Sequence, residues 1–271
     1  MENQGARATM LVHIVADYGQ GDLAFAEVIQ RLKLYLPDAE PVLTPVPPFC
    51  TLAAGFCVAQ LALNPAPPGT IVYHNVAPRE DDDAARAANA GERLSYARLR
   101  TGVRVIGVNA GHALSFIRDE ADKLRWAAVE AEGSQFRSRD LFPQTAAAIA
   151  LGRSQALAED IEPRLIPDVP ASRIAYIDGY GNVKTTLRFD DKRFRAGTKP
   201  AIQIDGITHE ALVSDGTFGV EAGRLAFAPG SSGWKTKQGE QVRWVELFLR
   251  GGNAWKMFKE PAIGTEIDVK S

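Results

Sequence analysis

An open, mixed or parallel α/β sheet domain over residues 1–168, followed by a small β-barrel domain over residues 169–271, is the architecture this sequence predicts. Three observations predict it. Residues 10–16 form a short apolar run that breaks at Asp17 into a glycine-containing turn and then a helical stripe, the way an open α/β sheet begins. Residues 160–172 carry Pro163, Pro167 and Pro170 and separate two differently patterned halves. Beyond them, short apolar runs alternate with glycine turns, the signature of a small all-β unit.

In the first half, Phe25, Ile29, Leu32 and Leu36 recur on one helix face. Residues 41–44 predict a second strand, closed by the proline-rich turn 45–48, and 52–63 a buried helix stopped by Pro65. Residues 70–76 predict a third strand. Residues 79–92 are charged and alanine-rich, with Asp81, Asp82 and Asp83 in front, as in a solvated helix or loop. A strand pair follows over 98–108, ending on Asn109, Ala110, Gly111 and His112; then a strand at 124–132 and a helix at 141–151. In the second half, strands are expected at 174–177, 182–188, 201–204, 224–228, 242–249 and 266–269.

With 271 residues and 45% apolar content the chain can bury a real core, and its net charge of −2 offers no electrostatic footprint for nucleic acid. No run of 18 apolar residues occurs and the opening residues are polar, so neither a membrane span nor a signal peptide is expected, and a cytoplasmic protein is. Cys50 and Cys57 are the two cysteines, expected as free thiols of a reducing compartment. Four scattered histidines without C-x-x-C or H-E-x-x-H spacing predict no metal site.

Ligands of open α/β sheets sit outside the carboxyl ends of the strands, which makes Asp17 and Asp22 the first binding candidates. Residues 19–24 formally match G-x-G-x-x-G/A. A pyrophosphate, however, wants bare backbone N–H groups, and a carboxylate at each end of this turn repels it. Two aspartates suit ribose hydroxyls or an ammonium group. Asp22 serves equally well as the N-cap of the helix.

The order of motifs resembles the S-adenosylmethionine hydroxide adenosyltransferase, fluorinase and chlorinase family. The resemblance rests on Asp17-Tyr18-Gly19 with Asp22, on Pro47-Pro48 before a helix, and on Phe136, Ser138, Arg139 and Asp140 in an F-x-[GS]-R-D segment. It continues through Ile177, Asp178, Tyr180, Gly181 and Asn182 in an I-D-x-[FY]-G-N hairpin, and through residues 244–254. The resemblance implies an α/β domain joined to a β-barrel, and a homotrimer with ligand sites between subunits. It implies S-adenosylmethionine as substrate, with no metal and no further cofactor, and displacement at C5′ that releases methionine. Asp17 would then hold the ribose diol and Asp22 the methionine ammonium. Phe49 and Tyr180 would form aromatic walls, and Asn182 would read a polar edge. Arg243 is a candidate for the methionine carboxylate. Trp244, Phe248 and Trp255 fit either an interface or a core. Arg139 and Asp140 fit a structural ion pair better than a catalytic one.

Two positions depart from the family pattern. Its hydrolases use an Asp–Arg–His arrangement to activate water, and here the aspartate falls at Ala77 and the histidine at Arg137, leaving Arg93 as the surviving arginine. Alanine cannot polarise water, and arginine stays protonated. Arg137 and Ser138 side by side instead suit an anionic nucleophile. The expected activity is adenosyl transfer to water, giving adenosine. The alternatives are a halide or other anion as nucleophile, or a protein that binds S-adenosylmethionine or adenosine without turnover.

Overall fold

A computed structural model describes residues 9–76, 78, 91–129, 134–190 and 192–270. Ala77, the aspartates at 81–83 and the end of the expected strand at 124–132 therefore lie outside the described residues. The chain divides into two compact units, Met1–Asp168 and Val169–Ser271. Its class is mixed α/β with several sheets.

The first unit is built on a seven-stranded sheet of order β2-β1-β3-β5-β4-β6-β7. Its strands are β1 (Met10–Ala16), β2 (Ala39–Pro45), β3 (Ile71–Asn75), β4 (Leu94–Leu99), β5 (Arg104–Val108), β6 (Ala121–Ala127) and β7 (Leu157–Asp160). The first three strands and β5 run parallel, whereas β4, β6 and β7 join by antiparallel pairing. The expected strand pair over 98–108 is thus a hairpin of β4 and β5 that begins four residues earlier, at Leu94. Alternation along β1 sends Val12, Ile14 and Ala16 to one core, where Phe25, Val28 and Leu32 of α1 (Leu23–Tyr35) meet Phe142, Ala146 and Ile149. Helix α2 (Thr51–Ala62) is buried nearly all round because it touches the sheet and also the turn at 109–112. The short helix α3 (Arg137–Asp140) runs directly into α4 (Phe142–Ala150), and both pack on α1.

His74 of β3 stands on the opposite sheet face, fully buried, with both ring nitrogens lacking a partner among the described residues. Its ring occupies the space above Gly107, its register partner on β5, where an added Cβ would lie 2.1 Å from a ring carbon. Burial without a hydrogen bond disfavours the imidazolium and pushes the His74 pKa down to about 4. The unfolded chain then binds the proton first. Folding stability is fully present above the ordinary histidine value of about 6.5 and drains away as the pH falls toward 4. His13 and His112, lowered by burial as well, act in the same direction. The urea midpoint is expected to drop between pH 7 and pH 4.5, and His74→Leu to flatten that slope; an equally steep slope in the variant would contradict this assignment.

The second unit forms two sheets rather than one closed barrel. Strands β8 (Ile174–Ile177), β9 (Val183–Arg188), β12 (Leu212–Val213), β13 (Leu225–Lys235) and β14 (Gln241–Leu249) give a five-stranded sheet of order β12-β13-β14-β9-β8. Strands β10 (Ala201–Ile204), β11 (Ile207–Glu210) and β15 (Ile267–Lys270) make a separate three-stranded sheet, β11-β10-β15. Closure would require the outer strands to pair, and β12 contributes just two residues. Both sheets feed one apolar core with Val183, Ile202, Phe227, Leu247 and Ile267, capped by α5 (Ala254–Met257) and Phe258. Trp244 packs against Trp234, with ring centroids 5.7 Å apart, and Trp255 donates to the Pro261 carbonyl, so core packing accounts for both.

Candidate functional site

Strands β1, β3 and β5 end at one edge of the first sheet, and the antiparallel β4 starts from that same edge. Asp17 is the first residue beyond β1. Its Oδ2 accepts the Phe49 backbone N–H at 2.9 Å. This bond anchors a tight turn closed by Cys50 N–H to Pro47 O, in which Phe49 takes the left-handed backbone (φ 60°) and leaves its ring half exposed. An L-residue held there costs roughly 1–2 kcal/mol.

Tyr18 turns inward. Its ring meets Phe25 and Phe136 edge-on, and its hydroxyl lies 2.6 Å from Ser138 Oγ, with the Asn75 side chain as a further partner. Burial raises the phenol far above its ordinary pKa. Tyr73, fully buried, donates to the Ser138 carbonyl at 2.8 Å. Two tyrosines therefore fix the start of α3. Arg137 donates from Nη1 to the Glu92 carbonyl at 3.2 Å and lies over the Phe142 ring at 5.0 Å, while its buried Nε has no partner among the described residues. Burial lowers its pKa, and the Glu92 charge opposes that shift. Asp17, Tyr18, Phe49, Asn75, Arg137 and Ser138 thus share one edge: a carboxylate, an aromatic wall, an amide, a hydroxyl pair and a half-buried guanidinium held by the Glu92 carbonyl.

Other candidates stand elsewhere. Asp22 caps α1, its Oδ1 accepting Ala24 N–H at 2.7 Å. Asp22→Ala is expected to cost about 1 kcal/mol of stability, Asp22→Ser to restore it, and neither to change ligand affinity. Thermal unfolding and a binding titration check this; weakened binding in a stable Asp22→Ser would return the residue to the site. Arg93 is committed to Glu159 at 2.7 Å and lies 4.2 Å over Trp126, toward β6 and β7. Arg139 clasps Asp140 through two contacts of 2.7 and 2.9 Å and pairs with Glu27, which makes it the structural ion pair expected. Arg139 first, then Ser134, holds the Asp140 carboxyl down at about 2. The turn at 109–112 is a packing element: Asn109 donates to Leu165 O, and Gly111 lets Thr51 approach.

The remaining candidates belong to the second unit. Asp178 Oδ1 accepts the Tyr180 and Asn182 amides at 3.0 Å each, and its Oδ2 accepts Asn182 Nδ2. That turn leaves Tyr180 82% exposed, while Asn182 is occupied in holding the tip together. Lys184 reaches both Asp178 (3.6 Å) and the fully buried Glu246 (2.9 Å). Arg243 lies on Phe189, 5.2 Å from the ring centroid.

Among the described residues no three His, Cys, Asp or Glu side chains gather to hold a metal ion, and no helix is long and apolar enough to cross a membrane. Both cysteines are free thiols. Glu92, Asn75 and Tyr73 were not legible as site residues. Glu92 is lost at the end of a charged stretch, and the other two lie in an apolar strand whose carboxyl end is the signal that points to Asn75.

No protein-family model matches the chain, and no curated protein sequence does. Solved structures do. An uncharacterized conserved protein from Thermotoga maritima matches over 95% of this chain and 99% of its own, with TM-score 0.75 and 18% identity. A conserved hypothetical protein from Thermus thermophilus matches over 96% and 100%, with TM-score 0.67 and 20% identity. At such identities the likeness bears on the fold alone.

Proposed function

We propose that this protein binds S-adenosylmethionine and transfers its adenosyl group to water, releasing methionine and adenosine. The observation that carries the reading is the juxtaposition, on the carboxyl edge, of the Asp17 carboxylate with the Tyr18–Ser138 hydroxyl pair and Arg137. A carboxylate has about four acceptor sites, enough in number for a backbone amide and a vicinal diol together. The exposed Phe49 ring beside it offers an apolar wall to a nucleoside. Displacement at a sulfonium carbon needs a nucleophile held in line and sheltered from bulk water, and positioning supplies much of the rate.

A binding protein without turnover is the second reading. Tyr18 and Ser138 spend a hydrogen bond on each other, and Arg137 cannot act as a base. A halide or other anion drawn by Arg137 is the alternative nucleophile. The family resemblance further implies a homotrimer, which light scattering tests. Incubation with S-adenosylmethionine followed by chromatography separates the functional readings. Adenosine with methionine supports the hydrolase, a different adenosyl product the anion route, and bound but unaltered cofactor the silent binder. Neither product nor binding would sink all three.

A further inference from the structure

We infer that Tyr73 is a positioning residue for the adenosyl transfer, its buried hydroxyl fixing where the Tyr18–Ser138 pair stands; the inference rests on the adenosyl-transfer reading. Strand β3 runs between β1 and β5, and Tyr73 is in register with Ile14 on one side and Ile106 on the other. Its ring is fully buried in the apolar cluster that contains both isoleucines. A phenylalanine ring would fill that place as well, so the hydroxyl is the feature to explain. It donates to the Ser138 carbonyl at 2.8 Å, in a bond that is itself buried. A buried hydroxyl with its partner adds little net stability, whereas it fixes the geometry of what it holds.

Ser138 needs such a hold. Helix α3 is a single turn whose N-cap, Phe136, makes no side-chain cap bond, and one turn of helix does not sustain itself. Alternation along β3 puts Tyr73 and Asn75 on one face. Tyr73 takes the Ser138 backbone, while the Asn75 side chain bonds the Tyr18 hydroxyl, which lies 2.6 Å from Ser138 Oγ. One strand face thus grips Ser138 by its backbone and, through Tyr18, by its side chain. Arg137 keeps a separate hold on the Glu92 carbonyl, and Asp17 on the Phe49 amide. In Tyr73→Phe the ring packing stays and the backbone restraint on Ser138 goes. The hydroxyl pair then drifts relative to a ligand held at Asp17, and a misplacement of about 1 Å can cost up to roughly 100-fold in rate.

The test is a cycle of four full-length proteins: parent, Tyr73→Phe, Ser138→Ala and the double variant. Each is measured for kcat and KM of adenosine release from S-adenosylmethionine, for adenosine affinity by calorimetry, and for unfolding temperature. Tyr73→Phe is expected to lower kcat about tenfold or more, with KM and adenosine affinity within roughly threefold of the parent. Ser138→Ala should lose at least as much. Adding Tyr73→Phe to Ser138→Ala should slow turnover by no more than about twofold, because there is no hydroxyl left at residue 138 to aim, while the small losses in unfolding temperature still add. That pattern marks a residue that acts through Ser138; a merely structural one would slow both backgrounds alike. Parent-like turnover in Tyr73→Phe overturns the role of Tyr73 alone. So does an equal loss in the two backgrounds, or a loss of adenosine affinity in step with the rate. A parent that releases no adenosine from S-adenosylmethionine overturns the adenosyl-transfer reading and this inference with it.

Discussion

Alanine at Gly55 is expected to destabilise the first unit by about 2 kcal/mol and to lower its unfolding temperature by roughly 4–8 °C. Helix propensity alone argues the other way, because replacing an interior helical glycine by alanine gains about 1 kcal/mol. The contact decides the sign. A Cβ on Gly55 would stand 2.2 Å from the His112 carbonyl oxygen and 3.3 Å from that of Ala113. Both are backbone atoms, so no side-chain rotation relieves the clash. Either α2 moves off the turn at 109–112 or the turn moves off the carboxyl end of β5, at an overpacking cost of about 3 kcal/mol. Calorimetry of the variant checks this. An unchanged or raised unfolding temperature would mean that α2 and the turn do not pack as closely as described.

Asp17→Asn is expected to weaken an adenosyl ligand by about 1.5–3 kcal/mol, or roughly 10–150-fold, the worth of hydrogen bonds to a charged group. Asparagine keeps one carbonyl oxygen that can still accept the Phe49 amide, so the turn that holds Phe49 in its left-handed backbone should survive. The variant therefore removes charge and acceptor capacity without removing the aromatic wall. Asp17→Ala removes the anchor as well, and is expected to weaken binding further and to loosen the turn at 47–50. Parent-like affinity in Asp17→Asn, with the loss confined to Asp17→Ala, would mean that the carboxylate acts on the turn and not on the ligand.

The carboxyl edge was legible where the hydrophobic pattern is strong. The apolar run at 10–16, its break at Asp17 and the stripe of Phe25 and Leu32 are local features that tertiary packing reinforces. The apolar stretch at 52–63 became α2 for the same reason. Barrel closure was not legible, because it depends on which short strands pair. Neither β11 nor β12 was expected, and β12 is two residues long. Side-chain roles divided along similar lines. The motif segment at 136–140 singled out Arg137 and Ser138, which lie against Glu92 and Tyr18, but spacing could not show that Arg93 turns away to Glu159 and Trp126. Nor could it separate Asp22 as a helix cap from Asp22 as a ligand, since one carboxylate at a turn suits both; in the structure its Oδ1 accepts the Ala24 amide, as a cap does. Glu92 was hidden because burial of a charged residue is set by what folds around it.

The most direct measurement of the central claim is a calorimetric titration of the parent and of Asp17→Asn with S-adenosylmethionine. Saturable binding to the parent, weakened by roughly 10–150-fold in a folded Asp17→Asn, is the predicted result. No binding to the parent, or the same affinity in both proteins, would contradict the assignment of the Asp17 edge as an adenosyl site.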